Sequence, residues 1–489
     1  MTKSAKDGFA HLESLRDGRA IYIDGQLVAD HTRHPAFRNA VRSAASLYDL
    51  QASPSHADLM TFESPTGVRV SRTWELPTSA AQLKSRRAAL EALAIHTCGM
   101  LGRSPDHVGS ALSAMYMGID LFERYDSARA GALRDYYAYA RDRDLYLSYV
   151  IVSPQADRSQ GTSEQATEFL ACGVCDEDGE GITLKGAKML GTAVPLANEI
   201  MVAAIQPLKP GEERYSVTAM VPLNAKGVKL FSRRSYEAAA GSIFDNPLAA
   251  RFDENDCVVY FDEVKVPWER VFVHNDVRMA QDQWHAIPTH VYQNYQCQIR
   301  LMVKLRFLLG VARKIADTNG ITAFPPVRET LGQLAAEVTM VEGLVAGMEA
   351  AGSYYGKYWI PNRRMLYSAQ VLTQQLYPNF IKTIRELAGG GLIMVPSSVA
   401  DLQSEATADY VMRFQSSPVT DAIGRVKLMK LAWDALGSEF ASRHLQYEMF
   451  YAGAPLVTRA HAYRTGEWEA LTGMVDVYLD SYGLEQPAS

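Results

Sequence analysis

Arg103 stands directly in front of a predicted helix start, a position that suits the binding of an oxyanion. The start signal is Ser104-Pro105-Asp106, in which serine can cap, proline suits the first helical position, and aspartate favours the positive end of the helix dipole. A permanently charged guanidinium and the free helix amides would then face the same point. Position alone leaves a second interpretation open, a surface arginine near a helix end.

Two other motifs have chemically suggestive spacing. The stretch CGVC at 172–175 lies in a predicted strand, where positions three apart point to opposite faces, and no second Cys/His pair is near it. We therefore interpret both cysteines as structural. The stretch AGGGL at 388–392 would either let backbone amides approach a phosphate or end a helix.

Hydrophobic periodicity divides the chain into three regions that must position these residues. Residues 79 to 150 read as helices, and SAAQ at 79–82 fits a capping box. From about 150 to 275 the period is two, in short runs of β-branched and aromatic residues separated by turn residues, which predicts six to eight strands. Beyond residue 290 the helical period returns. One apolar face comprises Leu301, Leu305, Leu308, Ala312 and Ile315, and a second comprises Leu331, Leu334, Val338, Val341, Val345 and Met348. Two further long helical patterns, at about 363–388 and 419–451, make four, enough for a bundle.

One stretch marks the change from strands to bundle. ARFDENDCVVYFDEVKVPWERVF at 250–272 begins with the acidic turn Asp253, Glu254 and Asp256, continues as an alternating strand, and stops at Pro267-Trp268. It is predicted to be the last strand of the middle region.

Composition excludes several classes of protein. The 489 residues are enough for two or three domains, and five scattered cysteines do not form a disulfide framework and suit a reducing, cytoplasmic compartment. A formal charge of −6 gives no basic field for nucleic acid, and no apolar stretch predicts a membrane span or a signal peptide. No G-x-G-x-x-G motif follows a strand, so no nicotinamide dinucleotide site is predicted.

Six stretches, in order along nearly the whole chain, resemble the 4-hydroxyphenylacetate 3-hydroxylase family. They are HPAFRN (34–39), GRSPDHV (102–108), GAKMLGT (186–192), the 241–272 segment that ends in FDEVKVPWERVF, VPSS (395–398) and LAWDALGSEFASRHLQYEMFYAG (431–453). The resemblance implies an acyl-CoA dehydrogenase-like fold that is mostly α, with an N-terminal helical domain (1–150), a β-barrel domain covering the flavin (151–280) and a C-terminal four-helix bundle with a tail (281–489).

The resemblance also implies a function. Members of the family are oxygenase components of two-component flavin monooxygenases, usually homotetrameric. They take FADH2 from a separate NAD(P)H:flavin reductase, react it with molecular oxygen to a C4a-hydroperoxide, and hydroxylate a phenol ortho to its hydroxyl group. The phenol would be either free or tethered to a carrier protein.

Site residues follow from the matched positions. Arg103 falls in the family's arginine position, whereas His107 and Tyr149 stand where the family commonly has Tyr and His, an exchange that favours a phenol other than 4-hydroxyphenylacetate. His290 matches a catalytic base of related phenol hydroxylases. Gln206 and Pro207 match a substrate loop. The cofactor-binding positions are Tyr149, Val150, Ile151, Gln155, Ala156, Asp157, Arg158, Thr192, Tyr451, Ala452 and Gly453, with Gln155 replacing a usual proline.

Two alternatives remain open at this point. A relative of the same fold, 4-hydroxybutyryl-CoA dehydratase, holds an iron-sulfur cluster, and Cys98, His290 and Cys297 stand at the positions of three of its ligands; Gly102 replaces the fourth. We therefore expect no metal. An enzymatically silent scaffold of the same fold would lack flavin affinity, and the retained Arg103 and Thr192 argue against it.

Overall fold

The computed structural model describes residues 5–154 and 156–484 of the chain. Its N-terminal part is mainly helical. The elements are α1 (Gly8–Ser14), β1 (Ala20–Ile23), β2 (Gln26–Leu27), α2 (Arg38–Ala52), α3 (Ala57–Met60), β3 (Thr61–Glu63), β4 (Arg69–Ser71), α4 (Ala80–His96), α5 (Pro105–Met117), α6 (Ile119–Tyr125) and α7 (Ser127–Asp142).

The predicted helix starts are confirmed, with one difference in capping. The Ser79 hydroxyl accepts the Gln82 amide at the start of α4, as the sequence predicts. Pro105 opens α5, but the Ser104 hydroxyl donates to the Asp106 carboxylate and caps no amide. Among the first-turn amides of α5, that of His107 donates to the Ser104 carbonyl at 3.0 Å instead.

The middle region contributes most of the strands. They are β5 (Leu147–Val150), β6 (Gly173–Glu177), β7 (Gly181–Thr192), β8 (Glu199–Val202), β9 (Thr218–Pro222), β10 (Val228–Ser232), β11 (Asp256–Pro267) and β12 (Val271–Val273), with the short helices α8 (Tyr236–Ala239) and α9 (Ala249–Phe252) before β11. The strand predicted from the acidic turn to Pro267 is β11, although β12 and not β11 is the last strand of the region.

The strands form two open sheets, so the expectation of a β-barrel is wrong. One sheet has six strands in the order β2-β1-β10-β11-β7-β6, and the other has four in the order β12-β9-β8-β5. Among the described residues neither sheet closes on itself. Apolar side chains of both sheets, such as Val259 and Ile200, belong to one core cluster, which covers the inner faces without closure.

The larger sheet also includes two strands from the N-terminal region, for which the sequence predicts a helical domain. β1 pairs in parallel with β10, with Ala20 opposite Lys229, and β2 turns back antiparallel to β1. The chain's first strands therefore cover an edge of β10 that would otherwise be open.

The C-terminal region is helical. Its elements are α10 (Val277–His285), α11 (Thr289–Thr318), α12 (Pro325–Ala350), the hairpin β13 (Ser353–Tyr355) and β14 (Tyr358–Ile360), α13 (Arg363–Ala388), α14 (Ala408–Phe414), α15 (Ala422–Leu436), α16 (Glu439–Phe450), α17 (Pro455–Arg464) and α18 (Trp468–Leu479). No helix in the described ranges is long and apolar enough to span a membrane.

The two apolar faces predicted beyond residue 290 lie on α11 and α12, and the pattern predicted at about 363–388 is α13. The fourth is two helices, because the chain breaks at Gly437 and Ser438 caps α16 by accepting the Ala441 amide at 3.1 Å. A Cβ at Gly437 would lie 2.5 Å from the Trp433 ring, so only glycine fits the break. The break gives α16 a direction of its own, and α16 carries residues of the site.

Buried charges connect α11 to α16. Glu448 accepts Arg300 Nη2 at 2.8 Å and Lys304 Nζ at 2.9 Å, and all three side chains are almost fully buried. Burial acts to raise the pKa of Glu448, but the two cations outweigh it and lower that pKa to about 2. Separating these buried charges would leave them unpaired, which is costly. The charges therefore fix where α16 lies along α11.

Candidate active site

Arg103 lies in the loop before α5 and is only 7% exposed. Its backbone N–H donates to the Glu254 carboxylate at 2.9 Å, and its carbonyl accepts the Tyr146 hydroxyl at 2.6 Å. The guanidinium lies between two aromatic rings, with Cζ 5.2 Å from the Tyr149 centroid and 5.1 Å from that of Tyr447. Both ends of the residue are therefore held by their surroundings.

The guanidinium has no carboxylate within ion-pair distance among the described residues. Its polar neighbours are His107 Nδ1 at 3.5 Å and Cys297 Sγ at 3.9 Å from Nη1. Burial acts to lower the pKa of Arg103, but Tyr149, Tyr447, Cys297 and the Glu254 carboxylate raise it above its ordinary value, so the group stays charged. A buried cation without a carboxylate in direct contact favours the binding of an anion.

His107 stands in the first turn of α5 and is fixed by two glutamines. Gln296 Nε2 donates to Asp106 at 2.9 Å, which turns its amide oxygen toward His107 Nδ1 at 3.1 Å. Gln293 Nε2 donates to His107 Nε2 at 3.0 Å. The hydrogen bonds thus assign the proton to Nδ1 and leave Nε2 as an acceptor.

The His107 ring also completes an aromatic pair. It stacks on Tyr149 with centroids 5.4 Å apart and an interplanar angle of 22°. Burial and the nearby Arg103 hold the pKa of His107 well below its usual range, so the imidazole is neutral. A cation, a neutral base and a phenol ring therefore meet at one point.

The acidic turn ahead of β11 organises this point. Glu254, which accepts the Arg103 amide, also pairs with Arg443 on α16. Asp256 accepts the Thr192 hydroxyl at 2.6 Å and pairs with Arg443 at 2.7 Å. The turn therefore joins the start of α5, the end of β7 and the bundle.

Of the predicted cofactor positions, Tyr149, Thr192 and Tyr451 contact residues of this group. Val150 and Thr192 are buried, and Tyr451 stacks on Tyr447 with centroids 5.7 Å apart. Ala452 is buried, and Gly453 has φ +105°, a conformation that favours glycine. Ala156, Asp157 and Arg158 are exposed, Ile151 is half-buried, and Gln155 lies outside the described residues.

The remaining predicted residues are less closely grouped. Gln206 and Pro207 lie in an exposed loop after β8, where the Gln206 carbonyl accepts Gln281 Nε2 at 3.0 Å. His290 does not join Arg103 and His107. Its ring lies 4.9 Å from His285 and 5.2 Å from His461, centroid to centroid. Burial and these neighbours hold the pKa of His290 well below its usual range.

Sequence reasoning missed several residues of the site. Glu254 was recognised only as part of an acidic turn, and Tyr447 only as part of a matched stretch. Gln293, Gln296 and Cys297 follow His290 on α11 at helical spacing. That spacing is the signal that could have found them.

The positions of the three cluster-ligand candidates do not suit a shared metal. Cys297 contacts Arg103 and His107, whereas His290 packs against other histidines. At the fourth position, a Cβ on Gly102 would lie 2.6 Å from the Tyr447 hydroxyl. A cysteine there would require Tyr447 to leave its place beside Arg103.

The site also offers unsatisfied groups that fit a bound flavin. Lys188, on β7 four residues before Thr192, is 3% exposed, and its one hydrogen-bond partner among the described residues is Ser153 Oγ at 3.3 Å. The hydroxyl of Tyr447 is buried without any partner in the same part of the chain. Buried donors and a buried cation of this kind fit an electron-rich ring system with carbonyl acceptors.

Family models and relatives agree on one assignment. The models described as 4-hydroxyphenylacetate 3-hydroxylase N terminal and C terminal match residues 8–273 and 280–480. The 4-hydroxyphenylacetate 3-monooxygenase oxygenase component of Geobacillus is 33% identical over 93% of this chain and 92% of its own length. The 4-nitrophenol 2-monooxygenase oxygenase component of Rhodococcus is 34% identical over 98% and 92%.

A solved structure agrees as well. The oxygenase component of 4-hydroxyphenylacetate 3-monooxygenase, crystallised with FAD and 4-hydroxyphenylacetate, superposes with a TM-score of 0.93 at 29% identity. The match covers 97% of this chain and 98% of the other. The fold expected from the resemblance is thereby confirmed, apart from the open sheets.

Replacing Gly102 by Ala tests the packing of this site. The added methyl would meet the Tyr447 ring, so we expect a loss of about 1–3 kcal/mol in the free energy of unfolding, measured by urea denaturation. Gly310→Ala, on α11 with open space around its Cβ, is the matched control and should stabilise by about 0.4–1 kcal/mol. Equal stability of the two variants would show that Tyr447 does not pack against Gly102.

Proposed function

The chain belongs to the 4-hydroxyphenylacetate 3-hydroxylase family, and from this premise we propose that it is the oxygenase component of a two-component monooxygenase that hydroxylates a phenol ortho to its hydroxyl group. FADH2 is the proposed cofactor and molecular oxygen the co-substrate. Two observations favour this function over the dehydratase. The chain is 33% identical to a hydroxylase component over 93% of its length, and Gly102 packs against Tyr447.

The observation that carries the proposal is the buried Arg103 guanidinium without a carboxylate partner. A phenol has a pKa of ~10, and its phenolate form carries the electron density that ortho attack requires. A fixed cation in a dry site favours the anion, and each unit of pKa is about 1.4 kcal/mol. Tyr149, Tyr447 and His107 surround the guanidinium with the aromatic faces and polar edges that suit a phenol ring.

Two histidines are proposed to handle the phenol proton. His107 Nε2 is the unprotonated ring atom of this histidine, and it accepts a hydrogen bond from Gln293. His290, three residues before Gln293 on α11, has a buried Nδ1 without a partner in the described chain. The neutral state of both imidazoles allows either to accept a proton.

The residues proposed to hold FAD combine the positions matched in the sequence with the buried Lys188. They are Tyr149 to Ile151, Gln155 to Arg158, Lys188, Thr192 and Tyr451 to Gly453. When bound, the reduced flavin supplies the electrons that activate oxygen. The chain's own part is to bury the ring, exclude water and keep Arg103 and His107 beside the phenol.

Partners follow from the same proposal. The relatives are named oxygenase components, so a separate flavin reductase is proposed to supply the reduced cofactor. We also propose a homotetramer, supported by α18, none of whose residues is buried and whose Met474, Val477 and Tyr478 are over 70% exposed. A cytoplasmic location stays a prediction of the sequence.

The hydroxylation test uses Arg103→Gln. We expect wild-type protein, given chemically reduced FAD, oxygen and a phenol it accepts, to form mostly hydroxylated product. The variant should release hydrogen peroxide instead and lose product about 100-fold, because a preorganised positive group is gone. Product per peroxide is measured by chromatography and a peroxidase assay, with the exposed Arg459→Gln as control.

If Arg103→Gln keeps the wild-type ratio of product to peroxide, Arg103 does not have the proposed role. If the Arg459→Gln control also forms less product per peroxide, the effect is not specific to Arg103. The unfolding curve of Arg103→Gln then shows whether the substitution has damaged the fold.

Assembly is tested with the double variant Met474→Asp and Val477→Asp. If α18 packs on another copy, burying two carboxylates there is costly, and the tetramer should dissociate at micromolar concentration. Sedimentation measures the mass. Exchange of Glu469 and Asp476 of the same helix for Asn is the control for a change in the surface charge of α18. A wild-type mass for the double variant would contradict the role of α18.

A further inference from the structure

A buried carboxylate stands next to His107 in the first turn of α5. This residue, Asp106, is 2% exposed, and within the described ranges no lysine, arginine or histidine forms an ion pair with it. The Ser104 hydroxyl donates to one of its oxygens, and Gln296 Nε2 donates to the other at 2.9 Å. Burial raises the pKa of Asp106, against which these two hydrogen bonds and the charge of Arg86 act. The positive end of the helix dipole favours a carboxylate here, and without an ion pair its charge is available to a cation that forms nearby.

Gln296 on α11 connects this carboxylate to the His107 ring. Its Nε2 is used by Asp106, so its amide oxygen faces His107 Nδ1 at 3.1 Å. The other polar neighbours of Nδ1 are Cys297 Sγ at 3.4 Å and Arg103 Nη1 at 3.5 Å. A guanidinium can only donate hydrogen bonds and a thiol accepts them weakly, so the amide oxygen of Gln296 is the partner that keeps a proton on Nδ1.

The four side chains form one line of contacts, in the order Asp106, Gln296, His107 and Arg103. The carboxylate and the guanidinium at its two ends do not pair with each other, because the amide and the imidazole stand between them. All four side chains are buried. The charges at the ends therefore act on the imidazole with little screening by water.

The surroundings of the ring decide whether it can hold a second proton. Burial and Arg103 hold the pKa of His107 well below its usual range, and the hydrogen bond with Gln296 acts to raise it. The titratable and charged groups that face the ring, directly or through Gln296, are Arg103 ahead of α5, Asp106 on α5, Tyr149 on β5, and Cys297 and Arg300 on α11.

Asp106 is the anion of this set. Burial raises the pKa of Tyr149 and that of Cys297, so both side chains are neutral. The charge of Arg300 is already balanced, because its Nη2 donates to Glu448 at 2.8 Å. Asp106 is therefore the group that can balance an imidazolium formed at this place.

We propose that Asp106 and Gln296 are positioning residues for the acceptor of the phenol proton. Gln296 keeps the first proton of His107 on Nδ1, and Asp106 balances the charge of the ring when Nε2 takes up the second. In this step the phenol O–H bond breaks, an N–H bond forms at Nε2, Gln293 gives up its hydrogen bond to that atom, and no proton leaves the protein. The inference rests on the proposed function and deepens it.

The role of Gln296 is tested without flavin or phenol. The tautomer of His107 is measured by solid-state NMR of protein whose histidine rings carry a nitrogen label, and its signals are those that His107→Tyr lacks. We expect the proton on Nδ1 in the wild type. In Gln296→Leu we expect it on Nε2, because Arg103 can then donate to Nδ1.

Gln293→Leu is the matched contrast, since this glutamine lies on the same helix and contacts the other ring nitrogen. It should keep the proton on Nδ1, because Gln296 still accepts it there. If Gln296→Leu has the wild-type tautomer, Gln296 does not have the proposed role.

The role of Asp106 is tested by counting protons. 4-Nitrophenol is bound to the full chain saturated with reduced FAD under argon, at a pH at which the free phenol is protonated. Absorbance gives the phenolate formed, and calorimetry in two buffers with different heats of ionisation gives the protons released. We expect the wild type to form phenolate without releasing a proton. Asp106→Asn can still accept the Gln296 hydrogen bond but lacks the charge, so it should release about one proton per phenolate.

Two results would overturn the role of Asp106. One is the release of about one proton per phenolate by the wild type itself, which needs no variant to be informative. The other is an equal proton count in the wild type and in Asp106→Asn. If the wild type binds no phenol, the proposed function fails instead, and the tautomer of His107 still decides on Gln296.

Discussion

The acidic turn before β11 is the constraint on which the site depends. Glu254 and Asp256 each have more than one partner: Glu254 accepts the Arg103 backbone and the Arg443 side chain, and Asp256 accepts Arg443, Arg233 and Thr192. Burial acts to raise the pKa of Asp256, but the two arginines lower it well below its ordinary range. The turn thus fixes the N-terminal helices, the larger sheet and the bundle at one point.

The way these carboxylates are used explains the electrostatics of the site. They hold Arg103 by its amide and give their charge to Arg443 and Arg233, so the Arg103 guanidinium remains a buried cation without an acid beside it. Folding alone would favour a carboxylate partner or an apolar residue at that place. The unpaired cation lowers the stability of the fold, and under the proposed function it favours the binding of an anionic ligand. Such a loss of stability in favour of function is common at binding sites.

The features that depend on neighbouring residues in the chain could be predicted from the sequence. The start of α5 follows from Ser104-Pro105, and the opposite faces of the Cys-x-x-Cys stretch follow from strand geometry, since Cys172 is buried and Cys175 exposed. Long-range pairing could not be predicted, because β1 joins β10 across 200 residues of chain that carry no signal of register. For the same reason the sequence indicated Arg103 but not its partner Glu254, and it indicated His290 without the histidine neighbours that the fold gives it.

The central claim is that Arg103, left unpaired by the acidic turn, stabilises a bound phenolate. Its most direct test is the ionisation of 4-nitrophenol, whose phenolate is coloured, when bound to the protein with reduced FAD under argon. The account predicts that the bound phenol ionises at a pH about 1–3 units below the free phenol in the wild type, and near the free value in Arg103→Gln. Ionisation of the bound phenol at the same pH in both proteins would contradict it.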